Sequence, residues 1–338
     1  MRHADGIYLI MASIRILGEE DVRAIIDTDR ALDLARRTLL DQASGRSYLS
    51  SPPAMTLDAS EFGSGRFKFK AANVGHIGYA GIRLISRRSA IDTSACNYTA
   101  LYRHGGLELS GLVPELWTSR IRTAAFGAAM VEHLCRPGPL VVALFGTGRI
   151  STEIVPMLAS VLQISEMRVT SRRAESMAGF VGRVAAHLPC PVRVEPEAAR
   201  AVQGADLVIT LTESASPLVQ AGQLKPGAVV CSMGGKNEVD YAVLAEGARL
   251  VVDDPEFASE VGDGGAWIRQ GHLTRDGFLA RIDALACEVA SGARPARRAP
   301  DDRVVAIVQG MAIGDIAFSA FALQEAERLG RGKVIDLP

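Results

Sequence analysis

Residues 141–161 read VVALFGTGRISTEIVPMLASV, and this stretch indicates the fold. An apolar run leads into Gly146-Thr147-Gly148, and a helical pattern begins immediately afterwards. Gly146 permits a tight turn, and Gly148 lets a pyrophosphate approach the backbone at the helix N-terminus. Ser151 replaces the third glycine of the usual fingerprint and is small enough for close packing of helix on strand. The stretch predicts a dinucleotide-binding βα turn, and the alternative is a glycine-rich turn without a ligand.

The rest of the second half continues this pattern of strands and helices. Its apolar strand-like runs are VVALF (141–145), MRVT (167–170), DLVIT (206–210), AVVCS (228–232) and RLVVD (249–253). Continuous apolar strands between helices are typical of a buried parallel sheet. We therefore expect an α/β protein with a doubly wound Rossmann sheet.

The first half has a different pattern. A helix is expected from Glu19 to just before Gly45, which is a plausible C-cap. Short strand-like pieces follow from Phe67 to about Leu112, and a helix is expected over Thr118–Leu134. Glycines and polar turns separate the short pieces, which predicts a mostly antiparallel sheet. The layout is two domains, as a length of 338 residues also suggests at about 150 residues per domain.

Composition and charge exclude several classes of function. The chain has 37 basic and 38 acidic residues, so a net charge of −1 gives no field that would draw it to nucleic acid or an anionic membrane. Its 5 cysteines form no CxxC pair, and its 6 histidines are scattered. We expect no metal, no secretory signal, no membrane span and a cytoplasmic location. The expected ligand is a small molecule.

Two loops bear on the cofactor. After the second parallel strand the chain reads Ser171-Arg172-Arg173, where an NAD-specific site would have an acidic residue. A hydroxyl and a cationic fork suit a 2′-phosphate, so we expect NADP(H) in preference to NAD(H), and the alternative is a solvated helix start. Thr212 lies in a polar loop after the strand that ends at Thr210. Such folds bind ligands in loops at this position, and the alternative is an ordinary polar turn.

Together these segments resemble the ornithine cyclodeaminase/mu-crystallin family. The resemblance covers almost the whole chain and rests on RFKFKAANVG, TSRIRTAAFGAA, GTGRIS, VVDDPEFASEVGDGG and QGMAIGDIAFSAFALQEAERLGRGK. It implies a Rossmann dinucleotide-binding domain over residues 121–308. Residues 1–120 with 309–338 would form an α+β substrate-binding and dimerisation domain, completed by the C-terminal helix. The resemblance also implies a homodimer.

The resemblance assigns roles to particular side chains. Lys68 corresponds to the family's active-site lysine, and Lys70, on the same face of the strand, is the second choice. Arg122 of the RTxA motif would clamp substrate and cofactor, Asp315 would lie near the cleft, and Arg83 would lie in a strand around the pocket. Without the resemblance, Lys68 and Arg122 would be solvated surface residues and Asp315 a bracing carboxylate. The cofactor-binding residues would be Gly146, Thr147, Gly148, Arg149, Ile150, Ser171, Arg172, Arg173 and Thr212.

Two departures from the family pattern narrow the function. Cyclodeaminases have a catalytic aspartate in the loop that corresponds to Ser232-Met233-Gly234-Gly235-Lys236-Asn237-Glu238, and this chain lacks it. Glu238 of this loop corresponds to a structural glutamate of the family and does not replace the missing aspartate. The segment SSPPAMTL also lacks an arginine that the family often uses to bind a substrate carboxylate. Both departures argue against ornithine cyclodeamination as the activity. Neither argues against redox chemistry at an amine or imine carbon.

The leading hypothesis is an NAD(P)-dependent oxidoreductase that acts on the C–N bond of an amino-acid-derived substrate. The step would be amine dehydrogenation, imine reduction or an opine-type reaction. Such chemistry needs a carboxylate held fast and a proton donor near the nitrogen, which a desolvated lysine can supply. The alternatives are a cyclodeaminase that releases ammonia from ornithine or lysine, and a non-catalytic, crystallin-like NADPH-binding protein.

Overall fold

The computed structural model describes residues 13–58, 66–87 and 97–337, and these residues form two eight-stranded sheets. We call them the mixed sheet and the parallel sheet. The strands of the mixed sheet are β1 (Ser13–Ile16), β2 (Ser47–Leu49), β3 (Met55–Asp58), β4 (Arg66–Val74), β5 (Tyr79–Arg87), β6 (Tyr98–Arg103), β7 (Leu109–Pro114) and β16 (Lys333–Asp336). Those of the parallel sheet are β8 (Leu140–Phe145), β9 (Ile164–Thr170), β10 (Val192–Val194), β11 (Leu207–Thr210), β12 (Val229–Ser232), β13 (Arg249–Val252), β14 (Ala284–Leu285) and β15 (Val304–Ile307).

The helices lie around these sheets. They are α1 (Glu19–Ile25), α2 (Thr28–Ala43), α3 (Glu115–Leu134), α4 (Arg149–Val161), α5 (Ala174–Val184), α6 (Ala198–Val202), α7 (Tyr241–Ala245), α8 (Pro255–Glu260), α9 (Gly262–Arg269), α10 (Arg275–Arg281), α11 (Ala286–Ala290) and α12 (Ala312–Leu329). The single helix expected from Glu19 is two helices, because the Asp27 side chain accepts a hydrogen bond from the Arg30 N–H and starts a second one. Within the described ranges, no helix is both long enough and apolar enough to cross a membrane.

The mixed sheet has the strand order β16-β1-β7-β6-β5-β4-β2, with β3 also paired to β4. Its strands run antiparallel to their neighbours except for β1 and β7, which are parallel. The prediction of a mostly antiparallel sheet is therefore confirmed. Helix α12 packs on this sheet, where two glycines allow close contact: a Cβ on Gly81 would lie 2.7 Å from Ile316 Cδ1, and one on Gly111 2.7 Å from Leu323 Cδ1.

The FKFK sequence of β4 gives the two faces of the mixed sheet different chemistry. The Nζ atoms of Lys68 and Lys70 lie 4.2 and 3.6 Å from the ring centroid of Phe257, which belongs to α8. Alternation along the strand turns Phe69 to the opposite face, and Phe69 is paired with Leu84, which is 37% exposed. One face therefore carries the lysines towards α8, and the other is apolar and partly open.

The parallel sheet has the strand order β10-β9-β8-β11-β12-β15-β13-β14, and its pairings are parallel. The chain starts in the middle at β8, continues outwards through β9 and β10, and then returns to β11 on the other side of β8. This reversal is the switch point at which doubly wound folds bind ligands, outside the carboxyl ends of the strands. The expected α/β fold with a Rossmann-like parallel sheet is confirmed.

The predicted domain boundaries stay predictions. Helix α3 passes through residue 120 without a break and packs against both α2 and α4. Between β15 and α12, residues 308–311 lead from the parallel sheet to the helix on the mixed sheet. The two sheets are thus linked by one continuous helix and by one short connection.

Candidate functional site

The loop after β8 has the backbone geometry of a dinucleotide turn. Gly146 has φ +102°, and a Cβ there would lie 2.4 Å from the Leu211 carbonyl oxygen, so only glycine fits. Gly148 is the N-cap of α4, and a Cβ on it would meet open space. The free N–H groups at the start of α4 therefore face an accessible position next to β8 and β11, as an anion site requires.

Three hydroxyl groups lie in this turn or next to it. Ser151, in the first turn of α4, is 1% exposed, and its Oγ has no hydrogen-bond partner among the described residues. The Thr147 hydroxyl lies 3.4 Å from the Ser171 hydroxyl, so the turns after β8 and β9 meet. A buried hydroxyl without a partner and an open glycine at a helix N-terminus fit the phosphates of a dinucleotide.

The basic residues expected near the cofactor lie at the surface. Arg172 and Arg173 are exposed directly before α5, and neither makes an ion pair within the ranges that the structure describes. Arg149 is also exposed, at the first position of α4, and Ile150 is half-buried behind it. This exposed position is compatible both with a 2′-phosphate fork and with the start of a solvated helix.

Thr212 lies in the loop after β11, and a buried carboxyl fixes it. Its N–H donates to Glu238 Oε1 at 2.7 Å, and its hydroxyl donates to the same oxygen. Burial raises the pKa of Glu238 to about 7, although the hydrogen bonds from Thr212 oppose this shift. Glu238 thereby joins the loops after β11 and β12, which border the dinucleotide turn.

The loop that lacks the cyclodeaminase aspartate is tied to a buried acid from another helix. Asp263 accepts hydrogen bonds from the Glu238 and Val239 N–H groups at 2.6 and 2.9 Å, and from the Ser232 hydroxyl. Burial raises the pKa of Asp263 to about 6. Because its oxygens already accept these bonds, Asp263 fixes the loop.

Of the two candidate lysines, Lys70 is buried and Lys68 is half-buried. The Lys70 Nζ donates to the Gly310 carbonyl oxygen at 2.8 Å. Burial lowers the pKa of Lys70 to about 7, against the attraction of Asp315. Lys70 is therefore a desolvated amine that can take up or release a proton near neutral pH.

Beside Lys70, two arginines and two carboxylates form a buried network. Arg122 Nε lies 2.7 Å from Asp315 Oδ1, and Arg83 Nη1 donates to both Asp315 oxygens at 3.1 and 3.0 Å. The other arm of Arg83 donates to Glu115 and, at 3.0 Å, to the Ser119 hydroxyl. Burial would raise the pKa of Asp315, but Arg122 and Arg83 hold it below its usual value. The structure thus brings Arg122, Asp315 and Lys70 together.

Gly310 and Asp253 also belong to this cluster, although the sequence did not single them out as site residues. Gly310 has φ +85°, its N–H donates to Asp253 Oδ2 at 2.6 Å, and a Cβ on it would lie 2.1 Å from Arg122 Nη1. Burial raises the pKa of Asp253 to about 6. Both residues follow carboxyl ends of parallel strands, β15 and β13, so the lysine cluster lies at the same sheet edge as the dinucleotide turn.

No group of three or more His, Cys, Asp or Glu side chains in the described ranges is arranged to hold a metal ion. The ionisable groups of the site are instead one buried amine, two guanidinium groups and several carboxyls. Such a set can bind a carboxylate and move a proton.

Comparison with known proteins gives both a family and a fold. The ornithine cyclodeaminase/mu-crystallin family model matches residues 112–328. A Rhizobium meliloti protein, a dehydrogenase by name, is 26% identical over 339 residues, which is 96% of this chain and 100% of that protein. A Δ1-pyrroline-2-carboxylate reductase of Bacillus cereus is 24% identical over 65% of this chain and 68% of its own length. An archaeal alanine dehydrogenase dimer with bound NAD has the same fold, with TM-score 0.86, 22% identity and coverage of 96% of this chain and 99% of that one.

Proposed function

The chain belongs to the ornithine cyclodeaminase/mu-crystallin family, and we propose that it is an NAD(P)-dependent oxidoreductase acting on the C–N bond of an amino-acid-derived substrate. The observation that carries this proposal is the 2.8 Å hydrogen bond from Lys70 Nζ to Gly310 O. It brings a buried amine of the mixed sheet to the carboxyl edge of the parallel sheet, where a dinucleotide would bind. The Bacillus cereus relative, whose name describes reduction of a cyclic imine, supports the substrate class.

The residues proposed for the cofactor are those of the turn and its neighbouring loops. Gly146 to Gly148, the free N–H groups of α4 and the Ser151 hydroxyl would hold the pyrophosphate, while Thr212 would border the nicotinamide side. We favour NADP(H) over NAD(H), because Ser171, Arg172 and Arg173 follow β9 without an acidic residue. The archaeal structure contains NAD, so both cofactors belong in the test.

In the proposed reaction, a bound nicotinamide supplies or takes up the hydride, and the chain's own groups control charge and protons. Arg122 would hold the substrate carboxylate, in the orientation fixed by its ion pair with Asp315. We assign the proton transfer on the substrate nitrogen to Lys70 Nζ rather than to Lys68, since Lys70 is the more buried and its pKa is about 7. Phe257 covers both ammonium groups and keeps water from that side.

We also propose a cytoplasmic homodimer. On the outer face of the mixed sheet, Met55, Leu57, Ile82 and Leu84 are 37–57% exposed, and such an apolar patch favours a second subunit. The archaeal relative is a dimer. Cys135, Cys190, Cys231 and Cys287 are free thiols, which supports a reducing compartment, and Cys96 lies outside the described residues.

The experiment begins with fluorescence titration of NADPH and NADH into the purified protein. A panel of cyclic imino acids, amino acids and pairs of 2-oxo acid with amine is then monitored at 340 nm. We expect turnover with an imine or amine substrate, lost in Lys70→Met and retained at a reduced rate in Lys68→Met. Binding of neither cofactor would refute the proposal. Release of ammonia without a change at 340 nm would favour the cyclodeaminase, and loss of turnover only in Lys68→Met would reverse the assignment of the lysine.

A further inference from the structure

Arg120 has no part in the site described so far, but it faces α4, the helix that follows the dinucleotide turn. It lies on α3, two residues before Arg122, and its side chain is 16% exposed. Its Nη1 is 3.7 Å from Glu153 Oε1 on α4. Arg149 precedes Glu153 by four residues on the same helix, so both lie on one face of α4 and that face meets Arg120.

The charges around Arg120 are unbalanced. Within the described ranges, Glu153 is the carboxylate in ion-pair contact with it, and Arg149 makes no ion pair. Arg23 adds a third guanidinium, 4.0 Å from the ring centroid of Trp117, over which Arg120 also lies at 5.8 Å. Burial lowers the pKa of Arg120, and the nearby cations Arg149 and Arg23 lower it further.

The carboxylate of Glu19 does not compensate this excess. It accepts hydrogen bonds from the Leu116 and Trp117 N–H groups at 2.7 and 2.9 Å, where it caps the start of α3. Three neighbouring arginines, of which Arg120 is half-buried, with one carboxylate in contact would be stabilised by an anionic ligand.

The neighbouring backbone indicates which anion fits. Arg149 is the first residue of α4, a helix of 13 residues, and Gly148 before it leaves open space. The unpartnered Ser151 hydroxyl is buried in the same turn. We propose that Arg120 and Arg149 form a two-arginine clamp on the pyrophosphate of the dinucleotide, one arginine from α3 and one from α4. This inference rests on the proposed function, and it assigns Arg120 a cofactor role that neither the dinucleotide fingerprint nor the RTxA motif contains.

The clamp has a defined specificity. Two guanidinium groups suit two adjacent phosphates, and arginine forks bind phosphate through paired N–H bonds. The pyrophosphate is common to NADH and NADPH, so the clamp strengthens the binding of both cofactors equally. Discrimination between the two would come from Arg172 and Arg173 instead.

The test is a set of binding constants that needs no turnover. Arg120→Gln and Arg149→Gln should each lower the affinity for NADH and for NADPH by about tenfold or more in a fluorescence titration. This is the loss expected when a hydrogen bond to a charged group is removed. The affinity of both variants for ADP, measured by calorimetry, should fall by a similar factor. AMP has no pyrophosphate, so its affinity should equal that for the wild type. Arg136→Gln removes the same charge next to Asp206, at the opposite sheet edge, and should change nothing.

Glu153→Gln separates a ligand role from a bracing role. It breaks the ion pair of Arg120 and leaves both arginines in place, so the clamp predicts unchanged or tighter NADPH binding. Wild-type affinity in Arg120→Gln and Arg149→Gln would overturn the clamp, as would equal losses for AMP and ADP, or a loss in Glu153→Gln matching that in Arg120→Gln. Arg149 is exposed, so its variant keeps the test valid if Arg120→Gln does not fold. A wild type that binds neither NADH nor NADPH would instead refute the proposed function itself.

Discussion

Replacing Lys70 by methionine should remove turnover and stabilise the protein, by an amount that depends on pH. The side chain is buried, and burial lowers its pKa from 10.5 to about 7. Below pH 7 the amine is protonated in both folded and unfolded chains, and the folded state carries the full cost of that buried charge. Between pH 7 and 10.5 the unfolded chain alone holds the proton, so stability rises with pH across this window. Above pH 10.5 the amine is neutral in both states, so folding no longer carries the cost of a buried charge.

The size of the effect follows from the two pKa values. The difference of 10.5 − 7, at about 1.36 kcal/mol for each pH unit, gives an upper limit of about 5 kcal/mol. Asp315 keeps Arg122 and Arg83 as partners when the lysine is removed, so little of this gain is lost at the carboxylate. Methionine has a similar length and packs well against the Phe257 ring. For a chain of 338 residues, an unfolding entropy of about 2.1 cal/mol/K per residue converts this limit to roughly 7 °C in Tm.

The assay is thermal unfolding of wild type and Lys70→Met at pH 6, 7.5, 9 and 10. We expect the variant to melt higher at pH 6, with the difference shrinking steadily to near zero at pH 10. Lys333→Met, at an exposed position in β16, is the matched control and should leave Tm unchanged. A variant that melts lower than the wild type at pH 6, or a gain that does not change with pH, would refute the buried-amine argument.

Three further outcomes follow from the structure. Gly310→Ala should fold but lose at least 100-fold in kcat/KM, because φ is +85° and the new Cβ would displace the Arg122 guanidinium; wild-type kinetics would contradict this geometry. Glu238→Gln should raise Tm at pH 8. The upper limit of the gain in unfolding free energy is about 3 kcal/mol, since the fold moves the pKa of Glu238 from 4.5 to about 7. The stability cost of this glutamate grows as pH rises from 4.5 to 7, so the gain should be absent at pH 4.5, and an equal gain at both pH values would count against it. Leu84→Asp should convert a dimer of 35.9 kDa chains into monomers in sedimentation velocity, and an unchanged sedimentation coefficient would exclude this face as the interface.

The elements that the sequence predicted well are those whose evidence is local. Apolar runs predicted β8, β11, β12 and β13 to within one or two residues, because a parallel strand is buried on both faces and its pattern needs no partner. The break between α1 and α2 was missed because Asp27 is also compatible with a helical surface. Its capping role shows only in the hydrogen bond to Arg30.

The site was predicted less completely, since it depends on contacts between distant parts of the chain. The parity of FKFK places Lys68 and Lys70 on one face, but the sequence cannot say which is buried, because that depends on Phe257 and Gly310. Glu115 was missed for the same reason: only its contact with Arg83, paired across β4 and β5 with Lys70, brings it to the cluster.

The peptide at Gly310 decides how the two sheets form one site. Its carbonyl accepts from Lys70 of the mixed sheet, its N–H donates to Asp253 beyond β13, and its Cα leaves room for Arg122 of α3. The amine is therefore positioned by a backbone carbonyl whose own orientation is fixed on the other side, and less of its position depends on side-chain rotamers. A backbone acceptor also stays neutral at every pH, so it can hold Lys70 in both protonation states and favours the charged form less than a carboxylate would. In the proposed reaction, Lys70 would therefore stay in place while it gives up and regains a proton.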